Sequence, residues 1–369
     1  MHRITIMLAL IIFTSCSKPP SPRFERVQIV PHGSSDWFLG WSQVSHAQVD
    51  GEPVDTSQPL IISGTSEHVV SYGDRILTVP MRAKEPCRTK RVVLLGDGRA
   101  SVDGLGPSAY WPGILREVYR EKPELILNSG DLVKNGTSQT EWDNFLRNTP
   151  ETPPMVVVRG NHDRGQIFDR LQLVPGPVFW FRVGAALVVG VDSEIPMTSL
   201  QDTLGQIDEI LNKEAATWRI LLMHRPIWSQ GNHGSDERGW NADWVPLIDR
   251  HQIDMVLAGH DHNYERFCRQ TGMGSARRCH DDRGTVYLVS GGAATFTNPI
   301  PGVSRHVPRE TKAIDAEFSR VFSGSHHYVV MDISPSKLSV RAQRTRTGNV
   351  RQRAVIDAFT LNKGGGRCP

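Results

Sequence analysis

Met155-Val156-Val157-Val158-Arg159-Gly160-Asn161-His162-Asp163 is an apolar run that ends in a glycine and then in three side chains able to bind a metal or move a proton. An apolar run ending in a residue able to hold a metal returns four times. Arg91-Val92-Val93-Leu94-Leu95 leads into Gly96-Asp97-Gly98-Arg99, and Leu125-Ile126-Leu127-Asn128 into Ser129-Gly130-Asp131. Ile220-Leu221-Leu222-Met223 leads into His224, and Met255-Val256-Leu257-Ala258 into Gly259-His260-Asp261-His262. A short apolar run bounded by turn residues reads as a fully buried strand. In an open α/β sheet, ligands collect just beyond the carboxyl ends of the strands. Two Asp, one Asn and three His are therefore expected on one rim. Oxygen and imidazole donors in that mixture suit Zn, Mn or Fe, and a pair of ions where one carboxylate bridges.

Outward from these runs, strands alternate with helical patterns from about residue 89 to 300, which argues a βαβ-type core. Trp111-Pro112-Gly113-Ile114-Leu115-Arg116-Glu117-Val118-Tyr119 reads as a helix with Pro near its start. Residues 206–216 and 243–250 read as two more, each with one apolar face. Residues 24–88 hold β-formers broken by Gly, Pro and Ser, with strands expected at 27–30, 37–39, 68–72 and 76–79. This predicts a small β region before a main domain spanning 89–363. After residue 320, three alternating runs read as antiparallel strands, expected to complete a second sheet.

The 369 residues can bury one large core with a small appendage. A net charge of +3 is nearly balanced and gives nucleic-acid binding no support. The Arg-rich residues 341–353 read as a solvated hairpin. At the start, Arg3 and the apolar residues 4–13 form a targeting segment too short to span a bilayer. Phe13-Thr14-Ser15-Cys16 resembles a bacterial lipoprotein signal, with residues 1–15 removed and Cys16 carrying the lipid. An ordinary cleaved signal peptide is the alternative. Residues 16–88 then comprise a tether, with Lys18-Pro19-Pro20-Ser21-Pro22 extended, and the β-rich region. The expected location is an exported, membrane-anchored lipoprotein, periplasm-facing or at the cell surface. Export predicts an oxidising compartment, and four remaining cysteines fit two disulfides. Cys268 with Cys279 and Cys87 with Cys368 is the pairing considered, the others remaining open.

Together, Asp97, Gly130-Asp131, Gly160-Asn161-His162-Asp163, His224 and Gly259-His260-Asp261-His262 resemble the calcineurin-like metallophosphoesterase signature. Gly259-His260-Asp261-His262-Asn263-Tyr264-Glu265-Arg266 is especially similar to purple acid phosphatases and their bacterial relatives. The resemblance implies a four-layer αββα sandwich and hydrolysis of a phosphate ester by metal-activated water, on a phosphomonoester substrate. A phosphodiesterase, or a non-catalytic phosphate-binding surface lipoprotein, is the alternative. It further implies that Asp131 bridges two ions, that Asp97 and His262 hold the first, and that Asn161, His224 and His260 hold the second. His162 matches the position that meets the phosphate or protonates the leaving group, and Asp163 would orient its imidazole. His233 stands where purple acid phosphatases carry a substrate-facing histidine.

The sequence departs from that family at the first ion. Arg99 stands where most members have a histidine, and Lys134 where purple acid phosphatases have a tyrosine. Three fillings are open: water, a side chain such as Tyr110, or a weak first site that leaves the enzyme effectively mononuclear. Arg99 and Lys134 would either meet the substrate phosphate or form a plain salt bridge with a site carboxylate.

Overall fold

The computed structural model describes residues 25–82, 87–101, 104–293, 315–346 and 353–364. The apolar runs are buried strands. Lys90–Leu95, Leu125–Asn128 and Met155–Val157 lie parallel in one six-stranded sheet. Ala186–Val191, Trp218–Leu222, Met255–Ala258 and Thr285–Ser290 lie parallel in an eight-stranded one. Parallel strands buried on both faces need no polar alternation, which is why they read as continuous apolar runs.

The sheets face each other across the largest core cluster. It joins Val92, Leu94, Leu127 and Val156 of one sheet to Val188, Ile220, Leu222 and Leu257 of the other. The alternate side chains of the same strands point outward. Val93, Leu95 and Ile126 meet the helices Trp111–Arg120 and Gln139–Arg147. On the other sheet, Val189, Leu221 and Val256 meet the helices Leu200–Lys213 and Asn241–Arg250. The result is helix, sheet, sheet, helix: the expected αββα sandwich.

Several boundaries differ from the sequence reading. The second expected helix begins at Leu200 and ends at Lys213. Gln139–Arg147 was not anticipated, although Ser138 caps it by accepting from the Glu141 N–H, the S-x-x-E signature of a helix start. The hairpin Val178–Val183 to Ala186–Val191 was also not anticipated. It turns through Gly184 at φ +55°, as two-residue hairpin loops require. Of the late strands, His327–Ile333, Lys337–Arg344 and Ala354–Asn362 extend the six-stranded sheet beside Lys90–Leu95. Only Ser319–Ser323 joins the other sheet. The Arg-rich hairpin is anchored by ion pairs, since Arg341 and Arg353 both meet Glu121.

Residues 26–79 form two small sheets around Val27, Ile29, Trp37, Leu39, Val70 and Tyr72. Main-chain bonds between Gly33 and Trp180 and between Arg182 and Gly33 (3.0 Å each) join this region to the hairpin of the main body. The Gln28 amide donates to the Met155 carbonyl at 2.7 Å. Cys268 and Cys279 are disulfide-bonded, with Cα atoms 5.7 Å apart. Cys87 is also disulfide-bonded; Cys368 lies outside the described residues, as do Cys16 and the targeting segment. Among the described residues, no helix is long and apolar enough to cross a membrane.

Candidate metal centre

The turns after the parallel strands of both sheets meet at one rim. Main-chain bonds knit them: Asp97 N to Gly130 O at 2.9 Å, Val158 N to Asn128 O at 3.0 Å, and Gly259 N to His224 O at 3.0 Å. Asp97, Asp131 and His260 adopt φ of +60°, +55° and +69°. Non-glycine residues rarely hold the left-handed region without a surrounding structure that enforces it, and such strain clusters at functional sites. Neighbouring glycines leave room for the carboxylates. A Cβ on Gly259 would stand 2.4 Å from Asp97 Oδ2, and one on Gly160 2.3 Å from Asp131 Oδ1.

His224 is fully buried and organises one half of the site. Its Nδ1 lies 2.7 Å from the Ser129 carbonyl, which can only accept. The ring proton therefore sits on Nδ1, and Nε2 presents a lone pair. Around Nε2 stand Asn161 Oδ1 at 3.0 Å, His260 Nδ1 at 3.1 Å and Asp131 Oδ1 at 3.4 Å. The other nitrogen of His260 lies 2.7 Å from Glu237 Oε2 and 3.2 Å from Arg225 Nη1, and the shorter contact, to a group that can only accept, places that ring's proton there. Four electron-pair donors thus converge with no hydrogen among them. That arrangement is repulsive unless a cation shares it, and a mixed N/O quartet fits Zn, Mn or Fe.

The charges are arranged to keep Asp131 ionised. Burial alone would raise its carboxyl, but its neighbours, the permanently charged Arg99 among them, hold it well below the usual carboxylate range. Burial, with Asp131 adding to it, pushes Asp97 up. Asp97 accepts the His260 N–H on both oxygens, at 3.1 and 3.0 Å, and its Oδ1 lies 3.6 Å from His262 Nε2. Burial depresses His260 strongly despite the opposing pull of Glu237, so the ring is a neutral ligand.

The remaining candidates divide. His162 Nδ1 donates to the Lys134 carbonyl at 2.8 Å, leaving Nε2 available beside the site. Its N–H donates to Asp131 Oδ1 at 2.9 Å. The orienting partner of His162 is thus Lys134, and the role expected of Asp163 is corrected. Asp163 turns back into the loop and accepts from Leu132 N at 2.8 Å, Val133 N at 3.1 Å and Gly160 N at 2.9 Å. It holds the loop carrying Asp131 against the one carrying Asn161. Tyr110 packs on the His326 ring, centroids 4.5 Å apart, and among the described residues no bond links it to Asp97. The Lys134 ammonium is near enough to His162 to help lower that imidazole's pKa, after the larger effects of burial and Arg99. The His233 ring lies against His260, centroids 3.8 Å apart with the planes tilted by 34°, and reaches Glu237 Oε1 at 3.3 Å. Arg99 donates from Nε to Asp131 Oδ2 at 3.0 Å.

Sequence reasoning missed Glu237, Arg225 and Glu194. Glu237 bonds His260 and is itself paired with Arg225, which Glu194 holds at 2.6 Å. A carboxylate behind a ligand histidine fixes its tautomer and strengthens it as a donor. These are charged loop residues with no motif of their own. Arg225 and Glu237 carried one signal, their closeness in sequence to His224 and His233; Glu194 lies far from both in sequence and carried none. A cavity of about 1020 Å³ lies at the opposite, entry end of the strands, lined by Trp37, Met81, Arg82, Lys90 and Pro154. No metal-ligand candidate lines it, and the site is recognised by its donor chemistry instead.

A sandwich of this topology with these donors on its rim is the arrangement expected of the calcineurin-like phosphoesterase fold. Residues 91–264 match the calcineurin-like phosphoesterase family, and purple acid phosphatases are among the proteins the chain is similar to. An uncharacterized protein of Mycobacterium tuberculosis is 28% identical over an alignment covering 73% of this chain and 65% of that protein, so the chain spans just under two thirds of that relative. A nucleotide pyrophosphatase/phosphodiesterase of Hordeum vulgare is 24% identical, over 66% of this chain and 82% of its own. The purple acid phosphatase PPD1 of yellow lupin seeds superposes with a TM-score of 0.69 at 16% identity, covering 91% of this chain and 74% of its own.

Proposed function

We propose that the protein is a metal-dependent phosphatase acting on phosphomonoesters. The observation that carries this is the convergence of Asp131, Asn161, His224 and His260 around one point with lone pairs facing inward. When bound there, a metal would lower the pKa of a coordinated water towards about 7 and draw charge from the phosphoryl oxygens. The protein's own groups supply the rest. Glu237 keeps the His260 Nδ1 lone pair turned to the site. Arg99, its side chain 11% exposed, offers guanidinium N–H groups to a phosphate oxygen. His162, with Nδ1–H committed to the Lys134 carbonyl, can give a proton from Nε2 to the leaving oxygen only in its doubly protonated form, which burial opposes and the Asp131 carboxylate favours.

The metal-loaded protein should hydrolyse p-nitrophenyl phosphate, with the rate abolished in His224→Ala. Preference for bis(p-nitrophenyl) phosphate would replace this reading by a phosphodiesterase, as the barley relative's name describes for that protein. No turnover of either ester by folded, metal-loaded protein would leave a phosphate-binding surface protein. We also infer export and lipidation at Cys16. The Cys268–Cys279 disulfide supports an oxidising compartment. Labelled palmitate should enter the wild-type protein and not Cys16→Ala.

A further inference from the structure

The two halves of the metal site are not equivalent. Around His224 Nε2, Asn161 Oδ1, His260 Nδ1 and Asp131 Oδ1 stand at 3.0, 3.1 and 3.4 Å, with Asp97 also close to Asp131 and His224. On the other side, the guanidinium of Arg99 stands among the donors. Its Nε donates to Asp131 Oδ2 at 3.0 Å, and its Nη2 lies 3.4 Å from His262 Nε2. Nη1 reaches back to the Ala100 carbonyl at 3.4 Å. The main chain fixes the residue as well, since Arg99 N donates to Asp131 O at 3.0 Å. Asp131 and His262 are two of the residues that the family pattern assigns to the first ion. A metal bonded to both, at about 2.0–2.2 Å from each donor, would have to compete for the space the guanidinium fills. It would also face a permanent positive charge, because arginine does not deprotonate in proteins.

We propose that Arg99 takes the place of the first metal, so that the site binds a single divalent cation on Asp131, Asn161, His224 and His260. The Asp131 carboxylate then bridges a metal and a guanidinium rather than two metals. Its Oδ1 is the oxygen near His224, and its Oδ2 is the oxygen Arg99 holds. A phosphoryl group is clamped between the bound cation and a planar donor fork. The fork delivers oriented hydrogen bonds where a second metal would deliver charge alone. His262 becomes a neighbour of Arg99 and Asp97 instead of a metal ligand. This rests on the reading of the site as a metal centre, and it concerns how many ions that centre holds.

The test is metal stoichiometry. Purified full-length protein is stripped with chelator, loaded with excess Mn²⁺, desalted and analysed by inductively coupled plasma mass spectrometry and Mn²⁺ electron paramagnetic resonance. Wild type should hold one equivalent with the six-line spectrum of an isolated ion. His262→Ala should still hold one, and His260→Ala should lose it. Arg99→His, which removes the resident cation and restores an imidazole, should raise the content to two. Two equivalents in wild type, with an exchange-coupled spectrum, overturn the proposal while leaving the metal centre intact. Loss of the single ion in His262→Ala overturns it too, and that result does not depend on whether Arg99→His folds. Absence of bound metal in folded wild type sinks the metal centre itself. One ion without phosphatase turnover keeps this inference and removes the proposed activity.

Discussion

Replacing Glu237 by Gln isolates what a carboxylate behind a metal ligand contributes. The substitution keeps a side-chain oxygen able to accept from His260 Nε2, now 2.7 Å from Glu237 Oε2, and removes only the charge. Changes to such supporting partners cost about 10–100-fold in metal affinity. Two features of this site place the effect in the lower part of that range. The Glu237 side chain is 30% exposed, which screens its field, and the Arg225 guanidinium contacts the same carboxylate and cancels part of it. The expected loss is about 10–30-fold, or about 1.4–2 kcal/mol. The assay is competition for Zn²⁺ or Mn²⁺ between protein and a chromophoric chelator at fixed pH and salt, with circular dichroism as the fold control. An affinity unchanged within about twofold would refute the idea that the carboxylate strengthens His260. A loss beyond about 1,000-fold would refute it in the other direction, because Glu237 would then be a ligand rather than a support. The second outcome has a structural basis to exclude, since His233, Glu237 and His260 themselves form a close cluster of possible ligands.

Asp163→Ala should act through stability, since it strips acceptors from three buried loop N–H groups. The expected cost is about 3 kcal/mol or more, read as a lower urea midpoint; an unchanged midpoint contradicts the role assigned. Gly259→Ala would drive a Cβ to 2.4 Å from Asp97 Oδ2 and 2.5 Å from Ser129 Oγ. A lowered thermal midpoint, equivalent to about 1–3 kcal/mol, is expected, and a wild-type midpoint would show that the rim is looser than described. Glu265 is fully buried, and burial pushes its carboxyl up to about 7 despite bonds from Gln230 and Ser319. Because the folded state holds this proton more tightly, its contribution is complete below the ordinary value of 4.5 and is lost as pH rises through about 7. Denaturation curves from pH 4 to 8 should show about 3 kcal/mol of this loss in wild type and none of it in Glu265→Gln. Identical pH dependence in the two proteins would contradict it.

The candidate metal ligands were legible because each follows an apolar run that can only be an interior strand, and strand ends are where such a fold gathers ligands. The strands themselves were legible for the same reason. The hairpin around Gly184 and the helix after Ser138 carried readable signals, a two-residue turn and a capping pair, but neither neighbours a motif. Asp163 was misread because adjacency in sequence says little about direction. The bond from Asp163 N to Gly160 O at 3.0 Å closes a turn that aims its carboxylate back into the loop. Glu237 and Arg225 had no periodic or motif context, and their roles follow from a three-dimensional meeting of loops. For Arg99, the sequence left two roles open, meeting the substrate phosphate or pairing with a site carboxylate. The structure pairs it with the Asp131 carboxylate.

The most direct measurement is the metal content of wild-type protein and of His224→Ala, determined together with their rates on p-nitrophenyl phosphate. Metal and turnover present in the first and both gone from a folded second is the predicted result. Turnover that survives in a metal-free protein, or an undiminished metal load in His224→Ala, would contradict the account.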